Sequence, residues 1–276
     1  MKNILECKGE LVSVNGHNIH IYRQGDINNP KLVLMAGSAT VAPIYDFKVL
    51  YEKLSNEFRV IVIEKFGYGY SEIYDSPGDI DSLVSIQNQA LDIIGEKSPY
   101  ILMPHSMSGL EALRWKQMYS DDVSAIIGND MATPLTYNVW TAEKVAKKVK
   151  LMKNTTKYGV SRFLCRLNNR SLTKEEIKQH KLLRKRNAFN ICYINEANSV
   201  MSNVEIVRSN GYRKCPALLF SSNGYPMSEH WTKCQKEFAE ILNAKLVSYD
   251  CGHYIHHFKS EEMSKEIIDF VNSLER

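Results

Sequence analysis

A serine lies at the junction between a strand-like and a helix-like pattern. The run Tyr100–Met103 is short and continuously apolar, Ser106 follows within Pro104–Ser108, and apolar residues at helical spacing come after Gly109. A tight strand-to-helix turn projects a serine hydroxyl, and the next backbone N–H lies at a helix N-terminus, where negative charge is stabilised. The pattern indicates a nucleophile for acyl transfer, although a serine in this position is also a common helix cap.

A nucleophilic serine needs a histidine base, and His253 follows the last strand pattern of the chain. His256 and His257 compete for the same role. His253 and His257 are also four residues apart, which suits a metal ion on a helix, but the third ligand and the glutamate of a zinc-protease motif are missing from the sequence. We therefore assign His253 as the base and expect neither a metal nor a cofactor.

The elements that must position these residues appear as apolar patterns. Apolar alternation on both sides of Asn15-Gly16 predicts an antiparallel hairpin. Short continuous apolar runs follow, as in strands covered on both faces, and helical spacings fall between them. The runs are Leu32–Ala36, Val60–Ile63, Tyr100–Met103, Ala125–Ile127, Ala217–Phe220 and Leu246–Tyr249. We predict a doubly wound, mostly parallel eight-stranded sheet with helices on both faces and with ligands bound at the carboxyl ends of its strands.

One segment interrupts this alternation and differs in charge. Residues 141–190 hold fifteen Lys or Arg and three Glu, a net charge of +12, so a chain of net charge +4 carries −8 elsewhere. We predict an α/β core over 1–133 and 210–276 and a basic helical cap, or lid, over 134–209. Its cations form either a solvated face or a surface that attracts anionic substrates and anionic lipid. In the first case, the apolar residues that line the pocket are Leu151, Phe163, Leu164, Leu167, Leu182, Leu183 and Phe189.

Composition excludes several classes of protein. The chain has 276 residues, of which 44% are apolar and 24% charged, as in globular domains. Its longest apolar run, Leu32–Ala36, is far shorter than a membrane span, and the first ten residues lack the apolar stretch of a secretory signal. The six cysteines include no C-x-x-C pair, and the basic segment lacks a nucleic-acid reader module. We expect a cytoplasmic protein that binds a small molecule and no nucleic acid.

Three motifs together resemble those of the α/β-hydrolase fold superfamily, and the resemblance covers nearly the whole chain. Pro104-x-Ser106-x-Ser108 is similar to the family's G-x-S-x-G elbow, and Glu64–Ser71 is similar to its D-x-x-G-x-G-x-S turn. Met35-Ala36-Gly37-Ser38 resembles the H-G-x oxyanion turn, with Ala36 in place of histidine. The resemblance implies that the backbone N–H groups of Ser38 and Met107 form the oxyanion hole.

The acid that orients the histidine is harder to assign. Most relatives carry it after the penultimate strand, where this chain has no carboxylate before Glu229. Others carry it after the strand that precedes the lid, which here ends in Asp130, 24 residues past Ser106. We expect Asp130 to be the acid, with Glu229 as the alternative and a dyad or Asn223 also open. The choice matters because the acid fixes the tautomer of the imidazole and stabilises its charged form.

The resemblance implies a serine hydrolase that works through an acyl-enzyme. Ser106 attacks an acyl carbonyl, His253 takes the proton, and water then releases the acyl group. Serine instead of aspartate at the nucleophile position disfavours the dehalogenase and epoxide-hydrolase branches. Small esters, thioesters and amides are the expected substrates, while C–C bond cleavage, peptidase and cofactor-free peroxidase-like activities stay open. The alternative is a non-catalytic binding protein, which Pro104, Ala36 and the vacant usual acid position favour.

Overall fold

A computed structural model describes residues 7–157, 171–225 and 229–274 of the chain. The strands are β1 (Glu10–Val14), β2 (His17–Gln24), β3 (Lys31–Met35), β4 (Arg59–Glu64), β5 (Tyr100–Pro104), β6 (Val123–Asn129), β7 (Ala217–Ser221) and β8 (Lys245–Ser248). The helices are α1 (Pro43–Asp46), α2 (Lys48–Leu54), α3 (Ile80–Ile93), α4 (Ser108–Met118), α5 (Ala142–Lys157), α6 (Lys174–Asn187), α7 (Ile191–Ser209), α8 (Glu229–Leu242) and α9 (Ile255–Leu274).

All these strands belong to one sheet, in the order β1-β2-β4-β3-β5-β6-β7-β8. The β1–β2 and β2–β4 pairs are antiparallel, and every other neighbouring pair is parallel. The hairpin turn has φ values of 53° at Asn15 and 83° at Gly16, the left-handed pair that a type I′ turn requires. Each apolar run in the sequence forms one strand, so the predicted doubly wound sheet is confirmed.

Successive residues of the central strands face opposite layers of helices. Val33 belongs to the apolar cluster that contains α3 and α4, whereas Leu32 and Leu34 belong to the cluster that contains α2 and α9. Both faces of the sheet are therefore buried, which explains why these strands read as continuous apolar runs. Within the described residues, no helix is both long and apolar enough to cross a membrane.

We call residues 134–209, between β6 and β7, the insert, and part of it, around Arg186 and Asn190, lies against the turn Gly67–Ser71. Arg186 donates to the carbonyl oxygens of Gly69 and Ser71 at 3.0 and 2.8 Å, and Asn190 donates to that of Gly67 at 2.8 Å. The turn is itself organised by Glu64, whose carboxylate accepts the N–H of Tyr70 at 2.8 Å. The Gly-rich turn thus serves as a docking surface for the insert.

A buried lysine connects the insert to the sheet. Lys65 Nζ lies 2.7 Å from Glu111 Oε1 on α4 and 3.1 Å from Glu196 Oε2 on α7, and Tyr68 OH donates to Glu196 at 2.8 Å. Burial disfavours the charged ammonium, yet the two carboxylates outweigh it and raise the pKa of Lys65. We call Lys65, Glu111 and Glu196 the lysine hub.

Several details differ from the sequence-based expectations. The C-terminal helix begins at Ile255, before its apolar repeat, and it is kinked at Lys259, where φ is −129° and ψ is 25°. Leu151 is 62% exposed and Leu183 is fully buried in the core, so neither lines the pocket, whereas Phe189 does. Leu182 is half-buried and does not line the pocket either. Phe163, Leu164 and Leu167 lie outside the described residues.

Candidate active site

Ser106 forms the apex of a strained turn between β5 and α4. Its φ is +54°, in the left-handed region that side chains rarely adopt. Its carbonyl oxygen accepts the N–H groups of Gly109 at 2.9 Å and Ala132 at 2.7 Å, so the turn is tied both to its own helix and to the loop after β6. These bonds hold the backbone in a conformation that would otherwise be unfavourable.

Two glycines allow other segments to approach this turn closely. A Cβ on Gly37 would lie 2.8 Å from the Cβ of Ser106, and a Cβ on Gly109 would lie 2.2 Å from the carbonyl oxygen of Ala132. Both distances are too short for a real side chain. Glycine at these positions therefore lets the loop after β3 and the loop after β6 pack directly against Ser106.

Asp130 and His253 form a buried pair at the carboxyl ends of β6 and β8. His253 Nδ1 donates to Asp130 Oδ2 at 2.6 Å, and the side chain of Asp130 is fully buried. The other oxygen, Oδ1, accepts the Ser222 N–H at 3.0 Å and the Trp231 Nε1–H at 2.9 Å. Because Nδ1 of His253 carries the proton, its Nε2 is the nitrogen that can accept one.

His105 links this pair to the serine turn. Its ring centroid lies 4.8 Å from that of His253, and its Nε2 lies 3.3 Å from the carbonyl oxygen of His253. Burial holds the pKa of His105 well below its usual range, so this imidazole is neutral. Within the described residues, Ser106 Oγ and His253 Nε2 do not hydrogen bond to each other, and such bonds commonly tighten only when substrate binds.

The alternative residues have other surroundings. Glu229 is the exposed first residue of α8, and Asn223 donates to Asp250 at 2.9 Å. His256 and His257 each bond to Asp46, with Nε2 to carboxylate distances of 3.1 Å. His253 and His257, which share a helical spacing in the sequence, therefore have different carboxylate partners.

A cavity of about 280 Å³ opens beside Ser106. Its lining includes Ser38, Met107, Trp231 and the imidazole of His230, and the insert contributes Val145 and Val149 together with other apolar residues. Among the residues that the structure describes, no Asp, Glu, Lys or Arg lines this cavity. The space can therefore hold an uncharged, largely apolar molecule in contact with a serine hydroxyl.

Sequence reasoning did not find Trp231. An aromatic residue at helical spacing is usually a core residue, and nothing in the pattern around it indicates a polar contact. The sequence indicates such a contact only indirectly, since a buried indole N–H commonly finds a hydrogen-bond partner.

Comparison with known proteins gives a sequence relative and a set of structural neighbours. No family model matches the chain. The chain is 39% identical over 162 residues to the "uncharacterized protein YbdG" of Bacillus subtilis (strain 168). That match covers 58% of this chain and 50% of the relative, so the matched region spans about half the length of this curated relative.

The structural neighbours extend over nearly the whole chain. An esterase from Exiguobacterium antarcticum has a TM-score of 0.74 and 16% identity, covering 96% of this chain and 100% of its own. The enol-lactonase from Burkholderia xenovorans LB400 has a TM-score of 0.68 and 18% identity, covering 95% and 100%. A haloalkane dehalogenase loop variant from Bradyrhizobium elkanii has a TM-score of 0.72 and 14% identity, covering 96% of each chain. The chain therefore has the α/β-hydrolase fold, as its motifs predicted.

Proposed function

We propose that the protein is a serine hydrolase that cleaves a small, uncharged ester, thioester or amide through an acyl-enzyme. The observation that carries this proposal is the 2.6 Å hydrogen bond between His253 Nδ1 and Asp130 Oδ2, because the His253 ring also contacts His105, the neighbour of a strained Ser106 that lines a largely apolar cavity. A nucleophile, a base and an orienting acid are the parts that acyl transfer requires.

The reaction uses each residue in a defined role. Ser106 Oγ attacks the acyl carbonyl while His253 Nε2 takes its proton, and the backbone N–H groups of Ser38 and Met107 receive the developing oxyanion. His253 then gives the proton to the leaving group. In the second half, a water molecule loses a proton to His253 and attacks the acyl-enzyme, and Ser106 recovers its proton as the acid leaves.

The acid works by holding the imidazole. With Nδ1–H bonded to Asp130, His253 presents a lone pair at Nε2, and the positive charge that it gains during the attack lies next to a carboxylate. The cavity supports the choice of substrate, since no Asp, Glu, Lys or Arg among the described residues lines it to pair with an ionic group, although the imidazole of His230 does line it. Burial of an unpaired charge there would be costly.

The first experiment tests the nucleophile. Wild-type protein and Ser106→Ala are treated with a fluorophosphonate probe, and the labelled residue is identified by mass spectrometry. We expect one adduct, on Ser106, and none in the variant. A folded wild-type protein that takes no label would contradict the proposal and favour the non-catalytic binding protein, whose apolar cavity would then be a ligand pocket.

The second experiment tests the acid with a matched control. Hydrolysis of p-nitrophenyl esters is compared in Asp130→Asn and Glu229→Gln. We expect kcat to fall about 10³- to 10⁴-fold in Asp130→Asn, because an amide no longer stabilises the charged imidazole in the correct tautomer. Exposed Glu229 has no such contact, so its variant should retain wild-type kcat. The reverse result would move the acid to Glu229.

A further inference from the structure

We propose that Trp231 is a positioning residue that acts on catalysis through Asp130. This inference rests on the proposed function, because Asp130 matters for turnover only if it orients a catalytic histidine. The juxtaposition that carries it is the 2.9 Å bond from the indole Nε1–H to the carboxylate oxygen that does not contact His253.

The two oxygens of Asp130 have separate tasks. Oδ2 accepts the single bond from His253, and Oδ1 accepts two bonds, from the Ser222 N–H and from the Trp231 indole. Two donors on one oxygen prevent the carboxylate from turning about its own axis. They also satisfy a fully buried anion, whose lone pairs would otherwise lack partners.

The indole is itself held in place by the surrounding structure. Trp231 is only 6% exposed, and its ring stands at 90° to that of His253 with centroids 5.3 Å apart. On the same helix, Gln235 donates to the carbonyl oxygen of Met131 at 2.7 Å. Helix α8 therefore hydrogen bonds to two consecutive residues of the loop after β6, Asp130 and Met131. A small shift of the helix would move the Asp130 carboxylate.

A second tryptophan shows that this contact is not a general consequence of burial. Trp115 is fully buried in α4, and its Nε1 has no hydrogen-bond partner within the part of the chain that the structure describes. The protein thus contains one buried indole that only packs and another whose N–H points at the acid. The substitution of each by phenylalanine makes a matched pair.

The kinetic test compares Trp231→Phe with Trp115→Phe in the wild type and repeats Trp231→Phe in Asp130→Asn. We expect Trp231→Phe to lower kcat for a p-nitrophenyl ester about tenfold, or about 1.4 kcal/mol, with KM within twofold, because the ring that lines the cavity is largely kept. Trp115→Phe should leave kcat unchanged. In the Asp130→Asn background, Trp231→Phe should lower kcat little further, because its effect on catalysis depends on the carboxylate that this background lacks.

The outcomes separate this inference from the proposed function. An active wild type with an unimpaired Trp231→Phe, or an equal loss in both backgrounds, would overturn the positioning role alone. A wild type without fluorophosphonate labelling or ester hydrolysis would overturn both.

A spectroscopic readout does not depend on activity or on the folding of Trp231→Phe. The chain has three tryptophans, so a ¹H–¹⁵N spectrum contains three indole signals. In Asp130→Asn, we expect the Trp231 indole proton to move to higher field, because it loses a charged acceptor, while that of Trp115 stays in place. An unmoved Trp231 signal would contradict the proposal.

Discussion

At the scale of single residues, the site is built on backbone conformations that only a few residue types adopt easily. Ser106 and Asp130 both have positive φ values, +54° and +46°, although neither is glycine. Such conformations persist only where surrounding contacts impose them. Here the contacts are those of the Ser106 carbonyl oxygen with two backbone N–H groups and those of the Asp130 carboxylate with its three donors.

The strain at Ser106 leads to a prediction about stability. Ser106→Gly and Ser106→Ala both remove the hydroxyl, but only glycine adopts a φ of +54° without steric cost. We expect Ser106→Gly to be more stable than Ser106→Ala by about 1 kcal/mol. Urea denaturation measures the difference, and equal stabilities would show that the turn is unstrained.

The site residues differ in how visible they are in the sequence. Ser106 and His253 follow strand patterns directly, so their position at the carboxyl edge of the sheet could be inferred from the chain alone. Asp130 could be named as the expected acid but not separated from Glu229, because the choice depends on which strand ends adjoin. The Trp231 contact could not be predicted, since it depends on the rotation of α8 about its own axis.

At the scale of elements, the N-terminus of α6 joins the insert to the core. Thr173 and Glu176 form a reciprocal capping box, and Glu176 also accepts a bond from Lys48 on α2 at 2.6 Å. Burial raises the pKa of Glu176, but the hydrogen bonds that it accepts, above all the one from Lys48, lower it to about 2. Glu176 is therefore ionised across the physiological range and holds two helices together.

Glu176→Gln should destabilise the fold in a pH-dependent way. The pKa of Glu176 is lower in the folded chain than its ordinary value of 4.5, so its contribution is complete above that pH and is lost as the pH falls toward about 2. We expect the variant to be less stable by about 2 kcal/mol at pH 7, with the gap narrowing below pH 4.5. Unfolding free energies measured from pH 7 to pH 3 check this.

Glu175 supplies the control for this prediction. It lies in the same first turn but is exposed, and within the part of the chain that the structure describes its side chain bonds to Lys178 and Gln179 of its own helix. Glu175→Gln should therefore lower the free energy of unfolding clearly less than Glu176→Gln does at pH 7. Equal losses would mean that helix-terminal charge, rather than the bond to α2, accounts for the effect.

Apolar patterns predicted the strands better than they predicted which residues of the insert face the cavity. Each continuous apolar run became one strand, and all of these strands are largely buried except the edge strand β8. In the insert, Leu151 was expected to face the cavity, but Val145 and Val149 of the same helix do so and Leu151 is exposed. A helix with apolar residues on more than one side does not determine which side packs, because the neighbouring helices decide it.

At the scale of the whole molecule, charge is separated from the cavity. The segment 141–190 carries +12 and the rest of the chain −8, yet no Asp, Glu, Lys or Arg among the described residues lines the cavity. The described cations of α5 and α6 are mostly exposed, and two of them pair with a neighbouring glutamate, Lys147 with Glu143 and Lys178 with Glu175. We therefore expect the field of the insert to act mainly on molecules that approach the protein.

This separation predicts a preference for neutral substrates. Two p-nitrophenyl esters of equal chain length are compared, one with a methyl end and the other with a carboxylate end. We expect the neutral ester to have at least a tenfold higher kcat/KM, because the carboxylate would lose its hydration without gaining a Lys or Arg partner among the described lining residues. A higher kcat/KM for the anionic ester, falling steeply with added salt, would instead assign a steering role to the basic insert.

The lysine hub has a consequence for how molecules reach the cavity. Pulling the insert away from the sheet would part Glu196 from Lys65 and Tyr68, while Lys65 would keep its contact with Glu111. Because these groups are buried and fully partnered only while the insert is in place, their bonds oppose opening of the insert as a unit. We therefore expect molecules to reach the cavity through small rotations of lining side chains such as Val139, which is 48% exposed.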